Sequence, residues 1–593
     1  MEFNKNPLTH PVEAAQAAMS AAGADPRLMQ RMATFQNLNE GPANIAAKIT
    51  GVQSTHMQKD NAPYFTNNEG IPWPDYAHSK TIGGIPLVSD TFLLQKQQTF
   101  NRSKTLERMV HPSGSGAFGY FECTNDMSSL TKAGLYGQAG KRTPVFVRFS
   151  TVTFGREFPD SGRNPRGFAI KHYTEEGNYD VVGLNFPVFF CRDPMQGPDV
   201  IRSQQRNPQN FLLDYNSLFD FLSQVPESNH AGLMFFSDHG TPNSWVNLHG
   251  YGCHTFKWVN ASGEFVYVKY HYIREGGRKD FSWEEAVQMS GLDPDYSKRD
   301  LWARIEKGEE QRWTMKVQVM RPDDADPEKL GFDPFDVTKV WPKSRFPLHE
   351  VGRLVLNKNP EDYHRDVEQA AFSPGSMVPG IEDSPDPLLQ FRMFFYRDAQ
   401  YHRLGSTNLH QIPVNCPFMS KSMSSPNFAG NMRTDANTGH NPHYAPSTLV
   451  NKYRPDTAEA PYTVSDNIVS RKSHSWSEGT MHEYTQPREL YTRVMNKQER
   501  HAVHKNTAAV LSLVDFPEIQ QNYLAQLYNI HPDYARGVYD LLKEKKFSFD
   551  KVDELSKEAV FFGKDPRFMP THDGTGKRFE KRTGGIPQAK VYN

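Results

Sequence analysis

The sequence is poor in cysteine and has no long hydrophobic run. Four cysteines are scattered through 593 residues with no CxxC pair, which excludes a disulfide framework and favours a reducing, intracellular compartment. No apolar run approaches the roughly 18 residues that a membrane-spanning helix needs. The formal net charge is −1, so no excess of positive charge indicates nucleic acid or an anionic membrane as a partner.

Both termini are polar. The N-terminus, Met1 to Pro7, lacks the charged and apolar regions of a signal peptide. The C-terminus, Ala589 to Asn593, is not a good peroxisomal signal of the Ser-Lys-Leu type. We therefore expect an intracellular protein, cytoplasmic or peroxisomal.

Composition and periodicity divide the chain into five predicted regions. A long irregular stretch rich in Pro, Asn and Ser follows the β-rich part, and such a stretch is expected to wrap over the protein or to mediate assembly. The regions are an N-terminal arm at 1–70, a β-domain at 71–358, a wrapping segment at 359–483, a helical domain at 484–547 and a tail at 548–593.

The β-domain has the alternation of an antiparallel barrel. Pro144 to Val152 places Arg148 and Ser150 on one strand face, which we take as the inward face. Glu264 to Tyr272 and Thr314 to Met320 have the same β-branched and aromatic character. We therefore expect an α+β protein built around such a barrel.

Helices are predicted at both ends. Val12 to Ala22 is a short helical patch in the arm. In the helical domain, an apolar stripe that includes Tyr523 and Leu527 predicts a packed helix. Asp515 to Glu518, with a proline between them, resembles a capping box at its start.

The wrapping segment contains the most informative helix. Ser384 followed by proline is typical of a helix N-cap, and Arg392 and Tyr396 then lie one turn apart on the same face. A guanidinium held there favours the charged form of the phenol. A phenolate is a hard anionic ligand suited to ferric iron, so Tyr396 is a candidate haem ligand.

A second candidate site precedes the barrel. His111 lies just before a glycine-rich turn, and a histidine can carry a peroxide proton from one oxygen to the other. Ser150 could orient it by a hydrogen bond. Arg108, Arg148 and Arg403 could bind two haem propionates, because guanidinium groups pair carboxylates bidentately.

Three motifs, in order along the chain, carry a resemblance to the monofunctional haem catalases. They are Arg108 to Ala117 (Arg-Met-Val-His-Pro-Ser-Gly-Ser-Gly-Ala), Val147 to Val152 (Val-Arg-Phe-Ser-Thr-Val) and Arg392 to Asp398 (Arg-Met-Phe-Phe-Tyr-Arg-Asp). The resemblance covers roughly residues 66 to 547. It implies an eight-stranded antiparallel barrel, a wrapping segment, a helical domain, haem b and a homotetramer with interlocking arms.

The resemblance also implies individual roles. His111 is the distal base with Ser150 as its partner, and Tyr396 is the iron ligand, with Arg392 behind it held by His254 and Asp386. The remaining haem-contacting residues that it implies are Arg108, Val110, Arg148, Phe189 and Arg403.

The chain departs from the family pattern around the predicted distal pocket. Leu184 stands where the family has an asparagine that orients peroxide, and the neighbouring Asn185 should point to the other strand face. Gly197 stands where an aromatic ring is usual, and Phe186, water or a substrate could fill that space. Phe391 replaces a glycine before Arg392.

The family's secondary nucleotide site is altered as well. His230, Tyr251 and Trp341 match it. An arginine position holds His239, a lysine position holds Ile273 and a histidine position holds Lys343. Loss of the arginine and the lysine removes phosphate partners, which argues against NADPH held in the family's usual way.

These departures leave competing hypotheses. The first is a haem oxidase that uses oxygen, superoxide or peroxide on a small organic substrate in a biosynthetic pathway, similar to the fungal chanoclavine synthase of ergot alkaloid formation, with residual catalase activity. The alternative is an ordinary catalase that converts hydrogen peroxide to water and oxygen, with neutral drift in the pocket. A third, a non-enzymatic haem-binding protein, leaves the retention of His111 and Ser150 unexplained.

Overall fold

The structure is a computed structural model. It describes residues 46–47, 49–53, 63–423, 429–435, 442–449 and 476–563. The helix predicted at Val12 to Ala22 lies outside these residues.

Twelve strands are formed in the described part of the chain. They are β1 (Thr81–Ile82), β2 (Ile85–Pro86), β3 (Gly114–Cys123), β4 (Arg142–Thr151), β5 (Arg166–Thr174), β6 (Gly177–Leu184), β7 (Gly250–Tyr251), β8 (Phe256–Val259), β9 (Phe265–Arg274), β10 (Gln311–Met320), β11 (His349–Lys358) and β12 (Ile381–Glu382).

Eight of these strands close into an antiparallel barrel. The pairing runs β10–β11–β3–β4–β5–β6–β7–β9, and β9 pairs with β10 to complete the ring. Strand β8 pairs with the first half of β9, and β12 pairs with β8. The predicted barrel is confirmed.

The barrel interior is filled by apolar and aromatic side chains. On β4, Val145, Val147 and Phe149 point inward and pack with Phe168 and Trp313. Arg148 and Ser150 therefore lie on the outer face of this strand, because side chains alternate along a strand. Our prediction that Ser150 faces inward was wrong, since the bulky apolar residues take the interior.

Thirteen α-helices have both ends within the described residues. They are α1 (Thr91–Asn101), α2 (Gly197–Arg202), α3 (Tyr215–Gln224), α4 (Asn229–Phe236), α5 (Trp283–Leu292), α6 (Tyr296–Glu306), α7 (Pro327–Leu330), α8 (Pro387–Leu404), α9 (Thr485–Glu489), α10 (Lys497–Leu511), α11 (Pro517–Ile530), α12 (Pro532–Leu541) and α13 (Phe549–Ser556). None of these is long and apolar enough to cross a membrane.

The helical region differs in detail from the prediction. Helix α11 buries Tyr523 and Leu527 as expected. The capping box is absent, because Asp515 accepts a hydrogen bond from Asn216 instead of capping the helix. Helix α13 extends the helical region into the predicted tail, and its Val552 is fully buried.

The described residues fall into two compact units. One comprises those of 1–107, 402–411 and 424–444, and the other comprises those of 108–401, 412–423 and 445–593. The barrel and the helices from α9 onward belong to the second unit. The five predicted region boundaries stay predictions.

Candidate functional site

His111 lies immediately before β3 in an unusual backbone conformation. Its φ is 64°, in the left-handed region that non-glycine residues seldom occupy. Its amide donates to the Val152 carbonyl at 2.9 Å. Its Nδ1 lies 2.9 Å from Ser150 Oγ, so the structure contains the hydrogen bond that the resemblance implied.

The space occupied by the His111 ring depends on a glycine that we did not single out. Gly167 pairs with Ser150 on one side and Leu184 on the other, so the three positions form one row across β4, β5 and β6. A Cβ added at Gly167 would lie 2.4 Å from Ser150 Oγ and 2.5 Å from His111 Nδ1. The imidazole thus occupies the gap that this glycine leaves.

The surroundings keep His111 uncharged. Burial, followed by the positive charges of Arg148, Arg392 and Arg108, lowers the pKa of His111 to about 3. At neutral pH the ring is therefore neutral and can accept a proton. If Nδ1 carries the ring proton and donates to Ser150, the accepting nitrogen is Nε2.

Leu184 lies on the same outer face as Ser150, one strand beyond Gly167. It is 6% exposed and packs in an apolar cluster, so it offers no hydrogen bond near the histidine. Asn185 does not replace a lost asparagine. Its amide group is used elsewhere, accepting from the Arg166 amide at 2.7 Å and donating to the His239 carbonyl at 2.9 Å.

The start of α8 supplies the other half of the site. Asp386, not Ser384, caps this helix: its carboxylate accepts from the amides of Leu388 at 3.0 Å and Leu389 at 3.1 Å. Ser384 instead donates to the Thr255 carbonyl at 2.5 Å. The N-cap predicted at Ser384 was therefore two residues early, because the Ser384 hydroxyl is engaged by the distant Thr255 carbonyl while the Asp386 carboxylate accepts from the helix amides.

A chain of side chains runs from Asp386 to Tyr396. Asp386 Oδ2 lies 2.7 Å from His254 Nδ1, and Arg392 Nη1 lies 2.7 Å from His254 Nε2. Arg392 Nη2 donates to Tyr396 Oη at 2.7 Å and to the Val182 carbonyl at 3.2 Å. Burial lowers the pKa of His254, so this ring is neutral and can accept from the guanidinium while donating to Asp386.

This arrangement fits a haem iron. The Tyr396 oxygen accepts a charge-assisted hydrogen bond, which suits a phenolate, the form that ligates ferric iron. Buried Arg148 has an Nε without a hydrogen-bond partner among the described residues. Such a donor suits a carboxylate, which haem carries on its propionates.

The three arginines predicted to bind propionates differ in their surroundings. Arg108 Nη2 donates to the carbonyls of Val367 and Glu368, both at 2.8 Å. Arg148 donates to the backbone carbonyls of His111 at 2.8 Å and Pro112 at 3.3 Å. Arg403 is buried near the C-terminal end of α8 and belongs to the other compact unit.

The ring that lies against Gly197 is Phe391. The three nearest atoms to a Cβ built at Gly197 all belong to that ring, at 3.0 to 3.8 Å. Phe391 also stacks on Phe395, with ring centroids 5.4 Å apart. Phe186, which we had considered for this space, is fully buried in the neighbouring apolar cluster.

Two further residues that the resemblance implied flank this cluster. Val110 and Phe189 are partly buried and pack against the same apolar cluster as Phe391. They are therefore available as apolar contacts for a flat ligand such as haem.

Two residues of the nucleotide groove, His230 and Trp341, are buried. His230 Nδ1 lies 3.0 Å from the Thr338 carbonyl, and the Trp341 indole donates to the Pro334 carbonyl at 3.2 Å. His239 contacts the guanidinium of Arg278. That NADPH is not held in the family's usual way stays a prediction from the sequence.

The other three positions of the family's nucleotide site are Tyr251, Ile273 and Lys343. Burial raises the pKa of Tyr251 to about 12. The pKa of His249 and that of His271 are each lowered to about 4, by burial first; Arg278 and then Lys343 also lower that of His249, and Lys343 also lowers that of His271. Ile273 in β9 supplies no charge where the family has a lysine.

Two family models match the chain. The model described as Catalase matches residues 66–451, and the one described as Catalase-related immune-responsive matches residues 477–542. These matches cover the barrel and most of the helical region.

Named relatives and solved structures agree with the models. Catalase-A of Dictyostelium discoideum is 44% identical over 478 residues, 80% of this chain and 95% of that protein. The catalase of Rattus norvegicus is 43% identical over 481 residues, 81% of this chain and 90% of that protein. Catalase A from Saccharomyces cerevisiae has a TM-score of 0.78 at 37% identity, covering 82% of this chain and all of the other (100%).

Proposed function

Because this chain belongs to the catalase family of haem oxidoreductases, we propose that it converts hydrogen peroxide to water and oxygen. The similar proteins are named catalases. They favour this second of our two enzymatic hypotheses over oxidation of an organic substrate in a biosynthetic pathway, which they do not support.

The observation that carries the proposal is the chain of hydrogen bonds from Asp386 to Tyr396. Each of its three side-chain links is 2.7 Å long. The Asp386 carboxylate binds the neutral His254 ring, and that ring binds the Arg392 guanidinium. The guanidinium in turn places its positive charge next to the phenol oxygen of Tyr396. This holds the phenol oxygen in place as the candidate iron ligand.

His111 and Ser150 then serve to transfer the peroxide proton. When bound, the haem supplies iron that exchanges two electrons with each of two peroxide molecules. His111 Nε2 takes the proton from one peroxide oxygen and returns it to the other, so that water can leave. Ser150 fixes the ring and its tautomer through the 2.9 Å contact with Nδ1. Two peroxides give two waters and one oxygen molecule.

The test is the initial rate of oxygen release from hydrogen peroxide, expressed per haem in a sample of known iron content. A kcat/KM in the range of about 10⁶ to 10⁸ M⁻¹s⁻¹ is expected of a catalase. A rate lower by about two orders of magnitude or more at full haem occupancy would contradict the proposal. In that case the apolar residue at Leu184 would mark a site turned to another oxidation.

We also propose that the protein is a homotetramer. The described residues before Arg108 expose many large apolar side chains, which a monomer seldom leaves uncovered. Phe65, Tyr76, Ile82, Ile85 and Val88 are 67 to 82% exposed. A second copy of this chain would cover them. Light scattering should give the mass of a tetramer, and Ile82→Asp with Ile85→Asp should lower it, whereas a monomeric wild type would contradict the proposal.

We propose an intracellular location, cytoplasmic or peroxisomal. One relative, from Toxoplasma gondii, is named a peroxisomal catalase at 42% identity. Cell fractionation followed by immunodetection distinguishes the two compartments, and recovery of the protein from the culture medium would contradict both.

A further inference from the structure

We propose that Arg148 is a positioning residue that holds His111 in its left-handed backbone conformation, with Gly167 leaving the space for the ring. This inference rests on the proposed function, in which His111 is the proton carrier. It adds to the role of a propionate ligand that the resemblance implies for this arginine.

The guanidinium binds the backbone of the histidine itself. Arg148 Nη1 donates to the His111 carbonyl at 2.8 Å, and Nη2 donates to the Pro112 carbonyl at 3.3 Å. The side chain is 3% exposed, so water does not compete for these bonds. Charge-assisted hydrogen bonds in a dry environment are strong and directional.

The end of β4 and the residue after it hold His111 at three points. The carbonyl of His111 binds Arg148, its ring binds Ser150, and its amide donates to the Val152 carbonyl at 2.9 Å. Arg148, Ser150 and Val152 are alternate residues in sequence, so they share one face of the extended chain. This explains how a histidine keeps a φ of 64°, since a sparsely populated conformation persists only where its surroundings fix it.

Gly167 borders the space occupied by the His111 ring. Any side chain there would overlap Ser150 Oγ and His111 Nδ1, as the distances of 2.4 and 2.5 Å show. The imidazole therefore has one position in which its Nδ1 meets Ser150, provided that Arg148 holds the backbone behind it. A shift of about 1 Å in a catalytic group can cost about 10²-fold in rate.

Arg148 keeps donors for a second partner. A guanidinium has five N–H groups, and the two backbone carbonyls use two of them. Its buried Nε has no hydrogen-bond partner among the described residues. A haem carboxylate could bind there, so the same side chain would join the haem edge to the backbone of the distal base.

The test follows cyanide binding to the haem-loaded protein. Hydrogen cyanide must give up its proton when it binds ferric iron, so its association rate reports the position of His111 independently of peroxide turnover. Arg148→Met should slow association about 10²-fold per haem. Arg148→Lys should slow it less, since an ammonium can still bind one carbonyl.

The matched control is Arg163→Met. Arg163 is another buried arginine that donates to two carbonyls, those of Phe235 at 2.7 Å and Ser237 at 2.6 Å. Its removal should lower the Tm but leave cyanide association per haem unchanged. His111→Ala serves as the reference for a lost base.

Each outcome separates the inference from the proposed function. Wild-type association in Arg148→Met, with slow association in His111→Ala, would overturn the inference alone. Wild-type association in His111→Ala would overturn both. If Arg148→Met loses its haem, Arg148→Lys decides, because it keeps a positive charge for a haem carboxylate but cannot bind both carbonyls: slow association supports the inference, and a wild-type rate overturns it.

Discussion

The two sides of the candidate site are built in different ways. On the side of Tyr396, four polar side chains follow one another through bonds of 2.7 Å. On the side of His111, the ring has one side-chain hydrogen-bond partner among the described residues, and its place is set by backbone bonds and by the gap at Gly167. The first side depends on the chemical type of each residue, whereas the second depends on shape.

This difference predicts which substitutions each side tolerates. Loss of a polar group from the Tyr396 side leaves a buried partner unsatisfied and should be severe. The His111 side should tolerate a changed neighbour such as Leu184, provided that the ring keeps its position. The following substitutions test this contrast, beginning with the largest expected effect.

Tyr396→Phe should abolish normal haem ligation. Phenylalanine has no oxygen for the iron, and Arg392 loses the acceptor of its 2.7 Å bond. The absorption spectrum and the haem content of the purified protein measure this loss. Tyr401→Phe, on the same helix, is the control and should bind haem normally. An unchanged spectrum in Tyr396→Phe would remove the assignment of this ligand.

His111→Ala should lower peroxide turnover by about 10²- to 10⁴-fold, the usual contribution of a positioned acid–base group. Haem binding should persist, because Tyr396 is unaffected. The control is His504→Gln, a histidine in α10, for which turnover per haem should not change. Equal turnover in His111→Ala and wild type would show that another group carries the proton.

The pH profile of the wild type tests the same residue. Since burial and nearby arginines lower the pKa of His111 to about 3, the ring stays neutral as the pH falls through the usual histidine value of about 6.5. The kcat/KM should therefore show no loss of this base until the pH approaches the lowered pKa. A decline centred near pH 6.5 that disappears in His111→Ala would contradict this.

Leu184→Asn should leave turnover per haem within about tenfold of the wild type, because the His111 ring keeps its position, whereas a missing preorganised donor would make the asparagine raise turnover by about 10²-fold. The amide would enter the row that contains Ser150 and Gly167, on the face occupied by the His111 ring. Leu184→Met, of similar volume and without a donor, should leave turnover unchanged. A rise of about 10²-fold in the asparagine variant would show that the leucine is a handicap to catalysis.

The sequence predicted best what depends on local spacing. Arg392 and Tyr396 lie one helical turn apart, so their contact follows from the helix alone. The strand that carries Ser150 was also predictable, because its alternation is regular. Its inward or outward face was not, since both faces carry phenylalanine: Phe146 lies on one and Phe149 on the other.

Features that need the assembled fold could not be predicted from the residues. The role of Gly167 arises from its register between two strands and from a histidine 56 positions earlier in the chain, where His111 stands. The N-cap at Asp386 was missed because Ser384 and Asp386 are both good capping residues, and the choice depends on the distant Thr255 and His254.

The contact between Gly197 and Phe391 was partly predictable from the sequence. Both residues stand out in the sequence, but only the fold shows that they meet, with 3.0 Å between the ring and a Cβ built at the glycine. Gly197→Phe should destabilise the protein by about 1 to 3 kcal/mol through overpacking. Phe391→Ala should destabilise it by up to about 3 kcal/mol, because the ring is only partly buried.

Combining the two changes tests whether one ring has taken the place of the other. The double variant should be more stable than the sum of the single effects predicts, by about 0.5 to 3 kcal/mol, because the new ring can enter the space that the old one leaves. Urea unfolding of the haem-loaded protein measures this coupling. Phe394→Ala, at a ring that is 73% exposed on the same helix, should add to Gly197→Phe without coupling. Strict additivity for Phe391 as well would mean that the glycine and the ring are independent changes, and that the distal pocket has lost an aromatic wall without replacement.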